Sequence, residues 1–338
     1  MKKFRRFDQP ALGFHAAENP PAMSPIVETI LFIFGLVALG YLSGVTRFLN
    51  TSVGDGMTTF ATSVALPLLL FRTMAGAEFH GTAPWAFWAA YFCAVIVTWT
   101  TGHFIVTRVF GREPRAGVVG GVSSAFSNLV LLGIPFTLGV YGEAGFEILS
   151  LLIAVHLPTM LMASAVLFEV FGPPRTEKLH PARIALDFLR KLLRNPLIIG
   201  ILAGLLWRFT GLAMPSVATR MIDALADIAA PLALFAMGLG LQKFGISGNL
   251  RAAFTLSMLK LGLMPAVAVL AAWAFGLPPL TAQIAVAVAA LPAGVNSYLI
   301  ATQFGTGQAL ASSQMTLATA LSAVTLSFWV TVAQMLFA

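Results

Sequence analysis

Charge is scarce in this sequence: thirteen Asp and Glu and twenty Lys and Arg side chains serve 338 residues. A water-soluble domain coats itself with roughly 25% charged residues. Here 10% are charged and 58% are hydrophobic, with a mean hydropathy of +0.87. That balance excludes a soluble globule and calls for an apolar solvent, which is the lipid bilayer. Cysteine is almost missing as well. Cys93, the single one, allows no intramolecular disulfide and carries no information on redox compartment. The net charge of +7 comes from residues in connecting segments. No continuous basic patch with exposed aromatics exists, so nucleic acid is not an expected partner. Neither a His-Glu-x-x-His pair nor a Gly-x-Ser-x-Gly elbow occurs, and no sizeable soluble domain is available for signalling. These absences argue against an intramembrane enzyme or receptor, and no cofactor is expected.

Long apolar runs are what the chain does have. About 20 apolar residues cross ~30 Å of hydrocarbon as a helix. On that criterion the sequence predicts ten spans: Pro25–Gly44, Gly56–Met74, Trp85–Val109, Ala116–Tyr141, Phe146–Phe171, Pro196–Thr210, Ala218–Leu241, Ala252–Phe275, Leu280–Phe304 and Leu310–Phe337. The chain divides into a polar stretch at 1–24, a first five-helix unit at 25–171, a basic linker at 172–195 and a second five-helix unit at 196–338. Residues 1–24 are expected to be a disordered tail, or to lie upstream of a start at Met23. Within the linker, Ile184, Phe188 and Leu192 recur every fourth residue among basic side chains. That pattern fits an interfacial helix on an anionic leaflet, or a plain basic connector.

Lys and Arg set the expected orientation. Arg47, Arg108, Arg112, Arg115, Arg175, Lys178, Arg183, Arg190, Lys191, Arg194, Lys243 and Arg251 follow odd-numbered spans, whereas Arg72, Arg208 and Arg220 lie on the opposite side. The start of the first helix is therefore expected outside and the linker in the cytosol. Lys2, Lys3, Arg5 and Arg6 run against this pattern.

The two halves resemble each other. Ala65-Leu66-Pro67-Leu68-Leu69-Leu70-Phe71 in the second span and Ala229-Ala230-Pro231-Leu232-Ala233-Leu234-Phe235 in the seventh align with an offset of 164 residues. An odd number of helices per half inverts the second relative to the first. Inverted repeats place a substrate site near mid-membrane, where the repeats meet. The fourth and ninth spans carry the polar and helix-breaking residues such a site needs. One reads Ser123-Ser124-Ala125-Phe126-Ser127-Asn128 and then Gly133-Ile134-Pro135; the other reads Leu291-Pro292-Ala293-Gly294-Val295-Asn296-Ser297. Pro removes a backbone donor and Gly weakens the helix. Unwound backbone is tolerated in a membrane only against protein or a water-filled cavity. A broken helix turns a positive half-helix N-terminus toward the gap, which suits a carboxylate, and Asn128 and Asn296 add hydrogen bonds.

These segments, together with Arg194-Asn195-Pro196, Ala230-Pro231-Leu232-Ala233-Leu234-Phe235 with Gly238, and Leu259-Lys260-Leu261 with Pro265, resemble the auxin efflux carrier family. That family includes plant auxin carriers and bacterial malate and malonate permeases. The resemblance covers about residues 25–338. It implies an all-α integral membrane fold of ten transmembrane helices, arranged as two inverted five-helix repeats with broken crossing helices four and nine. Sodium/proton antiporters and bile-acid symporters have a fold of that kind. Plant members carry a pair of prolines at the crossing, for which Pro135 and Pro292 are the counterparts. The resemblance also implies a secondary transporter for a small organic anion such as malate, malonate or an auxin-like acid, resident in a bacterial inner membrane; a homodimer is compatible with it.

Charged residues inside spans complete the candidate site. An ammonium at mid-bilayer costs roughly 2.5–3.5 kcal/mol. Lys260 therefore reads as a counter-charge for the anion or a lysine that titrates during transport, the alternative being a lysine snorkelling to the interface. Asp223 and Asp227, four apart on one helix face, could carry a coupling proton or simply complement a helix N-terminus. His103 and His156 read as core histidines hydrogen-bonded to backbone, the alternative being histidines that titrate. Arg72 and Glu78 read as interface residues, and Gln283, Gln314, Ser312 and Ser313 as interhelical glue, the alternative being the lining of a polar path. The expected site is thus Asn128, Gly133, Pro135, Lys260, Pro292 and Asn296, with Asp227 and Asp223 as coupling candidates. A cation/proton antiporter shares the implied fold, but such a site wants acids at the crossing and neither broken segment carries one.

Overall fold

The structure is a computed structural model that describes residues 25–77, 84–172, 189–190, 193–246, 248 and 250–338. The tail at 1–24, Glu78 and the Ile184/Phe188/Leu192 repeat lie outside the described residues. Every element is helical: α1 (Pro25–Val45), α2 (Thr51–Phe60), α3 (Leu66–Gly76), α4 (Pro84–Phe104), α5 (Pro114–Ala125), α6 (Ile134–Val170), α7 (Pro196–Thr210), α8 (Ser216–Asp227), α9 (Ala229–Leu241), α10 (Leu250–Met258), α11 (Met264–Ala274), α12 (Pro279–Ala290), α13 (Val295–Gln303) and α14 (Gln308–Leu336). No strand is present among the described residues. Seven stretches are long and apolar enough to cross a membrane: Ile26–Val45, Thr51–Gly76, Pro84–Val109, Leu129–Val170, Ser216–Leu241, Leu250–Ala274 and Gln308–Leu336. Pro196–Thr210 and Pro279–Ala290 are apolar but shorter. The protein is a multi-pass integral membrane protein.

Leu129–Val170 spans 42 residues, about 60 Å of helix against ~30 Å of hydrocarbon, too long for one crossing. Gly142 interrupts it with φ 65° and ψ −161°, a backbone conformation that glycine tolerates. The interruption falls between Tyr141 and Phe146, where the sequence reading ends one span and begins the next.

Short π-helical turns join several of these pieces, and three have a common cause. Ala61–Ala65, Leu129–Gly133 and Leu259–Leu263 each precede a helix with Pro as its second residue, namely Pro67, Pro135 and Pro265. Proline has no amide to bond and its ring crowds the carbonyl four residues back, so the preceding turn widens. The widened turn re-aims its side chains, which matters at Lys260.

Glycine sets the closest helix contacts. α1 packs on α9, where a Cβ at Gly238 would fall onto the Val37 carbonyl and one at Gly40 onto the Phe235 carbonyl. α3 packs on α7 in the same manner, with Gly200 against Pro67 and Gly204 against Phe71. Without a hydrophobic drive between helices in lipid, such small-residue contacts supply the packing. Gly238→Ala is therefore expected to destabilise the protein by about 1–3 kcal/mol, the usual range for overpacking. Gly35→Ala, on the same α1 but with nothing within 4 Å of the added carbon, is expected to be neutral or stabilising. Unfolding of the two variants in detergent, read side by side, checks the contrast.

Candidate functional site

Two helices come apart in the middle of the molecule. After α5 ends at Ala125, Phe126 is extended (φ −84°, ψ 98°) and helix resumes only at Leu129. After α12 ends at Ala290, Leu291 is extended (φ −60°, ψ 146°) and helix resumes at Val295. The two unwound segments lie against each other. Ser127 and Ala293 form an antiparallel bridge, and the Asn128 amide donates to the Pro292 carbonyl at 2.9 Å. Gly294 allows the approach: a Cβ there would stand 3.3 Å from Asn128 Cβ.

The structure differs from the sequence expectation in where the first break falls. Gly133 has helical angles (φ −64°, ψ −43°) and closes a π turn, while Pro135 is the buried second residue of α6. The chain unwinds at Phe126–Asn128, several residues earlier. Proline is compatible with the first turn of a helix, so Gly133-Ile134-Pro135 marks the restart rather than the gap. In the second break Pro292 does stand in the unwound segment, and Asn296 is the second residue of the helix that resumes.

Each break offers two helix ends of opposite polarity. α5 and α12 end there, exposing carbonyls; the helices resuming at Leu129 and Val295 begin there, exposing amides. The Asn128 side chain caps the first of these starts, its Oδ1 accepting from the Leu131 amide at 3.2 Å, and its Nδ2 donates to Met237 Sδ at 3.3 Å. Ser297 Oγ donates to the Gly294 carbonyl at 2.9 Å in the second start.

Lys260 meets the carbonyl ends. It is fully buried in the π turn before Pro265. Its ammonium donates to the Ala289 carbonyl at 2.6 Å, to Ser127 Oγ at 3.0 Å and to Met264 Sδ at 3.1 Å. These three acceptors match the three donors of an ammonium. Among the described residues no carboxylate pairs with it, and the Ala289 carbonyl in the last turn of α12 is its shortest contact.

A cavity of about 40 Å³ opens beside the breaks. Asn128 and Asn296 line it together with Ser127, His156 from α6, and Asn195 at the start of α7. Asn195 Oδ1 accepts from the Leu197 amide at 2.9 Å, capping α7. Of the expected site residues, Asn128 and Asn296 share this cavity, Pro292 pairs with Asn128, and Lys260 stands behind Ser127 rather than on the cavity wall. Gly133 and Pro135 are near in the chain but outside it.

Asp223 and Asp227 are placed elsewhere. Both accept from Arg72 Nη1, at 3.2 and 2.7 Å, tying α8 to α3. Their side chains are 42% and 67% exposed, and Arg72 and Asp223 line a separate cleft of about 400 Å³. Gln283 donates to the Phe337 carbonyl and Ser312 to the Gly245 carbonyl, contacts of the interhelical kind expected for them. His156, named in the sequence reading for its place within a span just ahead of Pro158 but left out of the expected site, lines the cavity.

A family model described as "Membrane transport protein" matches residues 25–330. The "Putative malonate transporter" of Rhizobium meliloti (strain 1021) is 29% identical, over 90% of this chain and 95% of its own length. Auxin efflux carrier component 8 of Arabidopsis thaliana is 22% identical over 82% of this chain and 89% of its own. A transporter of Methanothermobacter thermautotrophicus is 24% identical, over 89% and 96% respectively. With a family match spanning nearly all of the chain, and with broken, cross-paired helices at its centre, this protein is a secondary membrane transporter of the membrane transport protein family that includes the auxin efflux carriers.

Proposed function

We propose that the chain carries a small organic anion across a bacterial plasma membrane by alternating access, with a carboxylate held at the two helix starts beside Asn128 and Asn296. The observation that carries this is the polarity of the paired breaks. Buried Lys260 covers the carbonyl end of α12, while the cavity is lined by Asn128 and Asn296 at the amide ends. Positive helix ends facing a small polar cavity favour a carboxylate. Lys260 adds a unit charge through Ser127 without touching the ligand. The "Putative malonate transporter" among the relatives makes malonate the natural first probe.

The ten-helix inverted repeat is part of the same reading. α1 packs on α9 and α3 on α7, the two contacts that a pseudo-two-fold axis relating the halves would exchange. The basic loops then place the linker in the cytosol. A cation/proton antiporter is less well supported, because no acid lines the cavity and Asp223 and Asp227 are engaged by Arg72. Whether those two acids act in coupling is a question for pH-gradient measurements on Asp227→Asn.

Uptake of radiolabelled malonate into proteoliposomes tests the transport reading. Asn296→Ala and Asn128→Ala are each expected to weaken malonate binding by about 10- to 100-fold, the value of a hydrogen bond to a charged group. Uptake at the wild-type level in both variants would sink the site. Lys260→Gln keeps a donor for Ala289 but removes the charge. A unit charge within about 10 Å contributes on the order of 1–2 kcal/mol at an effective dielectric of 20, so malonate affinity is expected to drop by roughly tenfold. Calorimetric titration of the variant at constant pH measures that drop, and an unchanged affinity would remove Lys260 from the mechanism.

A further inference from the structure

His156 projects from the middle of α6 and is 3% exposed. Its ring is fixed by aromatic edges: Tyr91 at 5.5 Å and 75°, and Phe126 at 4.8 Å and 81°. The Ser127 backbone interacts with it at long range, and among the described residues neither ring nitrogen has a partner at hydrogen-bonding distance and angle. Buried polar groups are almost always paired, and one left unpaired costs about 1–3 kcal/mol. Ordinary core packing gives no reason to keep an imidazole here, where leucine or phenylalanine would fill the space between Tyr91 and Phe126.

What distinguishes the position is the cavity. His156 lines the same 40 Å³ as Asn128 and Asn296, and it enters from α6, whereas those two enter from the breaks. The rest of the wall contributed by α6 and α7 is mostly apolar: Ile153, Leu157, Leu197 and Ile198. The imidazole is therefore the polar feature on the α6 side of the cavity. Lys260, the charged group nearby, spends its donors on Ala289, Ser127 and Met264, and Tyr91 presents its ring rather than a bonded hydroxyl. Among the described residues no other side chain bonds the ring nitrogens. A neutral imidazole offers one N–H donor and one acceptor nitrogen, enough to bind a second polar group on a ligand whose carboxylate is held at the helix starts.

We infer that His156 is a substrate-binding residue that reads the far end of the anion, so that the site prefers a short acid bearing a second polar group over an acid of equal length ending in methyl. The inference rests on the anion reading above and adds a specificity determinant to it. A hydrogen-bonding group left unpaired by the wrong ligand discriminates more strongly than an apolar wall that loses a methylene.

The test compares two three-carbon acids, malonate and propionate, by titration calorimetry on the full chain in detergent. The wild type is expected to bind malonate at least about tenfold more tightly, the value of one hydrogen bond to a charged group. His156→Leu is expected to bring the two affinities within about threefold while leaving propionate binding in place, and His156→Gln, which keeps a donor and an acceptor, to retain most of the preference. Retained propionate binding shows that the variant site is folded. If His156→Leu does not purify as a monodisperse protein, His156→Phe, which preserves the ring contacts with Tyr91 and Phe126, takes its place. A wild-type malonate preference that persists in the apolar variant overturns the role of His156 while the anion site stands, provided Asn296→Ala weakens both acids. Should neither acid bind the wild type, the anion reading and this inference fall together.

Discussion

In hydrocarbon no water is present to bond an exposed peptide group, and each unpaired one costs several kcal/mol. A helix that unwinds in mid-membrane must therefore find partners for the groups it releases, and here the two breaks find them largely in each other. The Asn128 amide takes the Pro292 carbonyl, Ser127 bridges to Ala293, and Lys260 takes the Ala289 carbonyl. Neither break would be tolerable alone. Mutual satisfaction also fixes a polarity. Lys260 is buried against a carbonyl end, and the amide ends, marked by Asn128 and Asn296, lie beside the cavity. The cavity wall beside these amide ends carries polar side chains but, among the described residues, no charged one.

Proline enters this arrangement twice, in different ways. Pro292 stands in an unwound segment, where its missing amide needs no partner. Pro265 acts at a distance: it widens the preceding turn, and that π turn carries Lys260. A π turn inserts one extra residue per turn and so rotates the side chains that follow, a device common at functional positions. Pro67 and Pro135 are associated with the same turn in other helices, so the effect is a repeated property of this chain and not a peculiarity of the lysine.

Much of this was legible in the sequence because composition is decisive in a membrane. Apolar runs located the seven stretches long enough to cross a membrane, Gly142 falls where one was expected to end, and Pro, Gly and Asn clustered in the fourth and ninth predicted spans announced unwinding. Two details were not legible, for physical reasons. The Gly133-Ile134-Pro135 triplet looks like a helix breaker, but Pro at a helix start and Pro at a gap have the same local sequence. Only the pairing of Ser127 with Ala293, more than 160 residues away, decides between them. His156 looked like a core histidine because a core imidazole is usually bonded to backbone. Whether its nitrogens are paired depends on Tyr91, Phe126 and Ser127, contributed by other helices and invisible to any local pattern.

The same contacts divide the molecule into parts that move together and parts that do not. The crossing elements are tied at their remote ends as well as at the breaks: Arg115 donates to the Phe304 carbonyl at 3.0 Å, Thr306 donates to Glu113 at 2.9 Å, and Phe304 stacks on Phe168 at 3.9 Å. α5, α13 and the far end of α6 are therefore one mechanical unit. The α1–α9 and α3–α7 pairs approach closely at glycines where a Cβ would collide with the facing backbone. Between these two groups lies the cavity, with Asn128 and Asn296 on the crossing side and Asn195, Leu197 and Ile198 on the α7 side. Any motion within the paired breaks would separate them and strand buried peptide groups, so the hydrogen bonds joining Ser127 and Asn128 to Pro292 and Ala293 hold the two segments together.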